Sequence, residues 1–201
     1  MNLNGVKALD WLVPIKESLK KALIVKMQSY GETYDYVVNP LSSGTSEISA
    51  NALLGCAFEV SRIADLDGVT KILTPEAMGI HIGTALTLIT GIPLLIIRKR
   101  KHGLPNEIEV VKKTGYAESR MYINGVNKND RVVLVDSIIA TGGTYSALIK
   151  ALKEYGVFVQ DAIAVIERVE LKGVERVKRE TGISVKTLIK IKLEKGKLII
   201  L

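Results

Sequence analysis

Residues 131–152, RVVLVDSIIATGGTYSALIKAL, constrain the fold of this chain more than any other stretch. The apolar run Val132 to Val135 is too short for a helix and rich in β-branching, the pattern of a strand buried on both faces of a parallel sheet. Asp136 and Ser137 follow at the predicted carboxyl end of that strand, the edge at which open α/β sheets bind ligands. Thr141, Gly142, Gly143 and Thr144 then lead into apolar Tyr145, Leu148, Ile149 and Leu152, spaced as on one face of an amphipathic helix. Strand, acid, glycine turn and helix in this order predict an α/β unit whose turn faces a ligand.

Glycines admit backbone N–H groups close to an anion, and Thr141 and Thr144 add hydroxyl donors where a helix dipole favours negative charge. That chemistry suits a phosphate monoester. Asp136, placed across from the turn, suits sugar hydroxyls or a hydrated magnesium ion, so the pair would hold a ribose 5-phosphate. TGGT taken alone is also an ordinary tight turn; the order of the elements is what favours a site.

On these residues the chain resembles the type I phosphoribosyltransferases, whose signature is an apolar strand, two acids, a short spacer and TGGT or TGKT. The resemblance implies that Ala140, Thr141, Gly142, Gly143 and Thr144 bind the 5-phosphate of phosphoribosyl pyrophosphate (PRPP) and that Asp136 and Ser137 contact the ribose hydroxyls. It also implies magnesium, carried in with PRPP and meeting Asp136 indirectly through ribose or water. The family's second acid is Ser137 here, which can bond a hydroxyl but lacks the charge that would help stabilise an oxocarbenium-like ribosyl cation. Ala140 stands where many 6-oxopurine enzymes carry an aspartate, and adenine enzymes a small residue.

A chain of 201 residues, 47% of them hydrophobic, suits one domain, 1–201, with an ample core. The net charge of +7 points to an anionic partner, a phosphorylated metabolite or nucleic acid. Cys56 stands alone, which excludes an internal disulfide and fits a reducing cytoplasm. Residues 80–97 are mostly apolar and are followed by Arg98, Lys99, Arg100 and Lys101, superficially a membrane span; His81, the threonines and Gly91-Ile92-Pro93 divide them into a helix and a strand instead.

In chain order, residues 2–29 read as one or two short helices with apolar Ile15, Leu19, Ala22 and Leu23, and Tyr34 to Val38 as an edge strand. Glu47 to Ala64 reads as a long helix with Ser46 as candidate N-cap. Lys71 to Leu73 is a short strand, and its turn to the next helix, Glu76, Ala77, Met78 and Gly79, can offer backbone N–H groups to an anion or be a plain connection. By the resemblance this loop binds pyrophosphate, and EAMGIHIGTAL is close to archaeal hypoxanthine-type enzymes, as is the TGY segment at 114–116. Met78 replaces an arginine of the adenine enzymes, so cations from the end of the next strand, Leu94 to Ile97, are needed: Arg98 and Lys99, with Lys101 in reserve. Residues 103–123 form a long loop or flexible hairpin, in the family a cover over PRPP. Asp161 to Ile166 is a core strand, Gly173 to Glu180 a basic helix, Thr187 to Leu193 a half-exposed strand and Leu198 to Leu201 its hairpin partner.

The resemblance implies an α/β fold with a mostly parallel sheet flanked by helices and a hood from residues 1–45 and 168–201. The implied activity is purine salvage in the cytoplasm by a homodimer: PRPP and a free purine, adenine slightly ahead of hypoxanthine or guanine, give a nucleoside monophosphate and pyrophosphate. The alternative is a PRPP-sensing regulator that binds nucleic acid with weak catalysis, against which stands the lack of a helix-turn-helix extension or an aromatic-interleaved basic stretch.

Overall fold

The computed structural model describes residues 10–29, 32–41, 43–44, 47–113 and 118–201. Its elements are α1 (Leu12–Leu19), β1 (Leu23–Ser29), β2 (Glu32–Val38), α2 (Ala50–Ile63), β3 (Lys71–Pro75), α3 (Ile80–Thr90), β4 (Leu94–Ile97), β5 (Ile108–Lys113), β6 (Glu118–Ile123), β7 (Arg131–Ile139), α4 (Gly143–Tyr155), β8 (Phe158–Arg168), α5 (Gly173–Thr181), β9 (Val185–Glu194) and β10 (Lys197–Ile200). The main sheet has the order β10-β9-β8-β7-β3-β4, parallel throughout except for β10.

The β-branched run of β7 serves two layers at once, because alternate side chains leave a strand on opposite faces. Val132 and Leu134 pack with Tyr145, Leu148 and Leu152 of α4 and Val177 of α5. Val133 and Val135 pack with Ile15 of α1, Val60 of α2 and Ile82 of α3. Each such buried side chain stabilises the fold by roughly 1.5–3 kcal/mol, so the strand is central energetically as well as spatially.

Connections then place the site. α3 carries the chain from β3 to β4 on one side, whereas α4 and α5 carry it from β7 through β8 to β9 on the other. Winding reverses between the adjacent strands β3 and β7, and the crevice beyond their carboxyl ends is where a doubly wound sheet receives a ligand. Both glycine turns lie there.

Several expectations change. Helix does not continue through residue 29: α1 stops at Leu19, and Leu23–Ser29 pairs antiparallel with Glu32–Val38. The i, i+4 spacing of Leu19 and Leu23 crosses the boundary by coincidence, and Ile24 and Val25 gain a partner strand that suits their branching. α2 starts at Ala50 because Ser49 caps it, its hydroxyl accepting the Ala52 N–H at 3.4 Å; Ser46 and the TGY segment lie outside the described residues. Of the two alternatives for residues 103–123 the hairpin is the one found: β5 and β6 pair antiparallel and are tied to the end of β4 by reciprocal Arg98 and Tyr122 backbone hydrogen bonds of 2.9 and 2.7 Å. Residues 168–201, expected in a hood, supply α5 and the β9–β10 edge of the main sheet, while β1–β2 forms a small sheet of its own. Among the described residues no helix is long and apolar enough to cross a membrane.

Candidate active site

Gly142 turns the chain from β7 into α4 with a φ of +75°, a conformation that glycine adopts at little cost. A Cβ there would collide with the Gly173 carbonyl oxygen, and a Cβ on Gly173 would collide with the Ala140 carbonyl, so the turn rests directly on the start of α5. The α4 ladder opens with the Ser146 N–H donating to the Gly142 carbonyl at 3.0 Å. The N–H groups of Gly143, Thr144 and Tyr145 precede that ladder, as an anion-binding helix start requires. Thr141 is exposed beside them and Thr144 half-buried.

Strand β7 continues past Asp136 to Ile139, so the acid sits within the strand rather than after it. Its Oδ1 accepts the Ser137 N–H at 2.7 Å. Burial pushes its pKa up to about 7, opposed by hydrogen bonding from Ser137 and by the Lys99 charge. Tyr145 is raised well above its ordinary range, first by burial and then by Asp136, and its hydroxyl donates to the Ile163 carbonyl at 2.6 Å. Ser137 is 0% exposed and is not among the residues that wall the cleft; its N–H holds the Asp136 carboxylate in place.

The turn after β3 is fixed by Glu76, whose carboxylate accepts the Lys99 N–H at 2.6 Å and pairs with Arg98 Nε at 3.1 Å. Gly79 is required by close approach: a Cβ would collide with Thr74 Oγ1 and stand 3.1 Å from Asp136 Oδ1. Met78 receives a hydrogen bond from the Tyr36 hydroxyl at 3.2 Å, which joins this turn to the β1–β2 hairpin. Ala77 is exposed, as is Lys101, which lies outside the cleft walls.

These parts enclose a cleft of ≈ 620 Å³ walled by Met78, Lys99, Lys112, Asp136, Ile138 and Thr144 among others. A larger hollow of ≈ 750 Å³ between α1 and the approach to α2 contains neither glycine turn. The structure therefore brings together Asp136, Lys99, Glu76 to Gly79 and the α4 turn, while Arg98 is occupied by Glu76. It adds residues that sequence reasoning missed: Tyr36, Lys112 and Arg176. Lys112 Nζ donates to Thr144 Oγ1 at 3.4 Å, and its pKa is lowered by burial, then by Arg176 and Lys99. No periodicity marks a lysine in a hairpin or an arginine on a basic helix as converging on a distant turn. Among the described residues no group of three or more metal-ligating side chains occurs. The geometry offers two anion-receptive turns with one acid between them.

Residues 44–183 match the phosphoribosyl transferase domain family. A hypoxanthine/guanine phosphoribosyltransferase of Methanocaldococcus infernus is 46% identical over 186 residues, spanning 92% of this chain and 98% of that protein. Its counterpart in Methanocaldococcus jannaschii is 44% identical over 187 residues, spanning 93% and 99%. Adenine phosphoribosyltransferase of Leishmania tarentolae superposes with a TM-score of 0.69 at 24% identity, spanning 88% of this chain and 87% of that one, a likeness of fold.

Proposed function

This chain belongs to the phosphoribosyl transferase family and is a purine phosphoribosyltransferase, a pentosyltransferase, and on that premise we propose that it joins hypoxanthine or guanine to PRPP, yielding the nucleoside monophosphate and pyrophosphate. The observation that carries the reading is the cleft at the switch between β3 and β7, where an anion-receptive turn stands on each side of Asp136. The oxopurine preference is supported by the names of the relatives at 46% and 44% identity, which we weigh above the adenine lean drawn from Ala140.

In this reading the α4 turn holds the 5-phosphate and the Glu76 to Gly79 turn, with Lys99, holds the pyrophosphate. Asp136 receives the ribose hydroxyls, and loss of its proton on binding leaves a negative charge beside the sugar. N9 of the purine attacks C1, the C1–O bond to pyrophosphate breaks with its electron pair leaving on that group, and the imidazole-ring proton of the base is released to pyrophosphate or water. The residues contribute positioning and charge rather than covalent chemistry. Magnesium fits this donor set: Glu76 is taken up by Arg98 and the Lys99 N–H, which leaves Asp136 as the cleft's available carboxylate, and such ions keep water and phosphate oxygens as ligands. When bound with PRPP it neutralises charge on the departing pyrophosphate. Residues around β1–β2 would form the hood over the base; the single-domain organisation, the homodimer and the cytoplasmic location belong to the same proposal.

The test is pyrophosphate release from Mg-PRPP across adenine, hypoxanthine, guanine, xanthine, uracil and orotate. Turnover with hypoxanthine and guanine is expected. Turnover with adenine alone would reverse the base assignment, and PRPP binding without turnover on any base would replace the enzyme by a PRPP sensor.

A further inference from the structure

The first turn of α4 is flanked by two cations that reach it from separate elements. Lys112 Cε and Arg176 Nη1 stand 3.6 and 3.7 Å from the point where a Cβ on Gly143 would be, so the missing side chain leaves a gap between a lysine of β5 and an arginine of α5. Like charges so close repel unless an anion lies among them. Among the described residues no carboxylate pairs with Lys112; burial, Arg176 and Lys99 all work against its charge. Arg176 is held differently. Its Nε donates to Glu180 Oε1 at 2.7 Å, the other oxygen of Glu180 takes Lys150 at 2.9 Å, and Nη1 is thereby left beside the Thr141 carbonyl at 3.5 Å. A guanidinium pinned by one edge presents its remaining donors to the turn in a fixed direction.

We propose that Lys112 and Arg176 together grip the phosphate seated at the α4 turn and make this subsite select a dianionic phosphomonoester. The inference rests on the 5-phosphate reading given above and adds to it a charge requirement that the backbone N–H groups do not impose. Arg176 shares its charge with Glu180, whereas Lys112 has no carboxylate partner among the described residues. The second negative charge of a phosphomonoester answers Lys112, and a singly charged or neutral 5-substituent would leave that partly buried lysine less well matched.

Calorimetric titration of the full chain with ribose 5-phosphate, and separately with magnesium pyrophosphate, tests the grip. Lys112→Met and Arg176→Met are each expected to weaken ribose 5-phosphate about tenfold or more, with pyrophosphate affinity held within about twofold and PRPP KM rising more than kcat falls. Lys112→Arg, which keeps the charge, should restore most of the affinity. Where Lys112→Met does not fold, Arg176→Met carries the test, and Arg176→Lys, which keeps the charge but not the fork, should lose less. Unchanged ribose 5-phosphate affinity in the folded variants would overturn the grip and leave the 5-phosphate site standing. Failure of the parent protein to bind ribose 5-phosphate and PRPP at all would overturn both.

Discussion

Gly142 and Gly173 are in backbone contact: a Cβ on the first would run into the carbonyl oxygen of the second. The turn that receives the anion is thus braced by the helix after the next strand, and the two adjacent glycines of TGGT answer to different constraints. Gly142→Ala meets both that carbonyl and a φ of +75°, and is expected to destabilise the protein by about 2 kcal/mol or more. Gly143→Ala would place its Cβ at ordinary contact distances of 3.6 and 3.7 Å. It should melt close to the parent yet bind ribose 5-phosphate about tenfold more weakly, because the methyl occupies the gap an anion would use. Thermal melts alongside calorimetry check the pair, and a Gly143→Ala protein with parental affinity would refute the assignment of that gap.

Asp136 folds with its pKa raised to about 7. Such a group holds its proton in the folded chain where the unfolded chain has already released it. Its favourable contribution is therefore complete below about pH 4 and is lost as the pH rises towards 7. Asp136→Asn should accordingly raise Tm by a few degrees at pH 8, with the difference vanishing near pH 4, while cutting turnover by roughly a hundredfold or more. A variant less stable than the parent at pH 8 would contradict the burial described for this carboxyl.

Glu180 shows the opposite shift, lowered to about 2 by hydrogen bonds from Lys150 and Arg176. Its contribution is present above about pH 4.5 and is lost as the pH falls through about 2. Glu180→Gln should flatten the acid side of the Tm profile over that interval. Because it also releases Arg176, it should raise the KM for PRPP a few-fold with little change in kcat. An unaltered KM together with a flattened acid profile would reduce Glu180 to a stabilising role.

Arg168, at the end of β8, donates through Nη1 to the Asp35 carbonyl of β2 at 2.9 Å and through Nε to Glu170 at 3.0 Å. It fastens the β1–β2 hairpin to the main sheet. Arg168→Met is expected to raise the KM for the purine about tenfold while leaving that for PRPP within about twofold. Equal rises for both substrates would remove the hairpin from base recognition.

Much of the centre was legible in the chain itself. Val132 to Val135 and the glycines after Asp136 carry short-range signals, burial on two faces and a turn that needs glycine, and such signals survive without knowledge of the tertiary fold. β1 was misread because Leu19 and Leu23 continue a helical spacing with no glycine or proline at the boundary, and only pairing with β2 decides the matter. Ser137 looked like a ligand contact by position in the motif, yet β7 extends past it and buries its side chain. Lys112 and Arg176 were unreadable for a different reason: their approach depends on how β5 and α5 pack around α4, which no local pattern encodes.

The β1–β2 hairpin shares no strand pairing with the main sheet and is joined to it through contacts such as Arg168 with Asp35 and Tyr36 with Met78. The floor of the cleft, by contrast, is two neighbouring parallel strands locked in register, Leu73 opposite Leu134. Side chains, Val37 in the core among them, hold this hairpin where backbone ladders hold the strands of the main sheet. On the proposed placement of this hairpin over the base, a changed choice of nucleobase would be sought in β1 (Leu23–Ser29) and β2 (Glu32–Val38), apart from the frame that sets the distance between phosphate and leaving group.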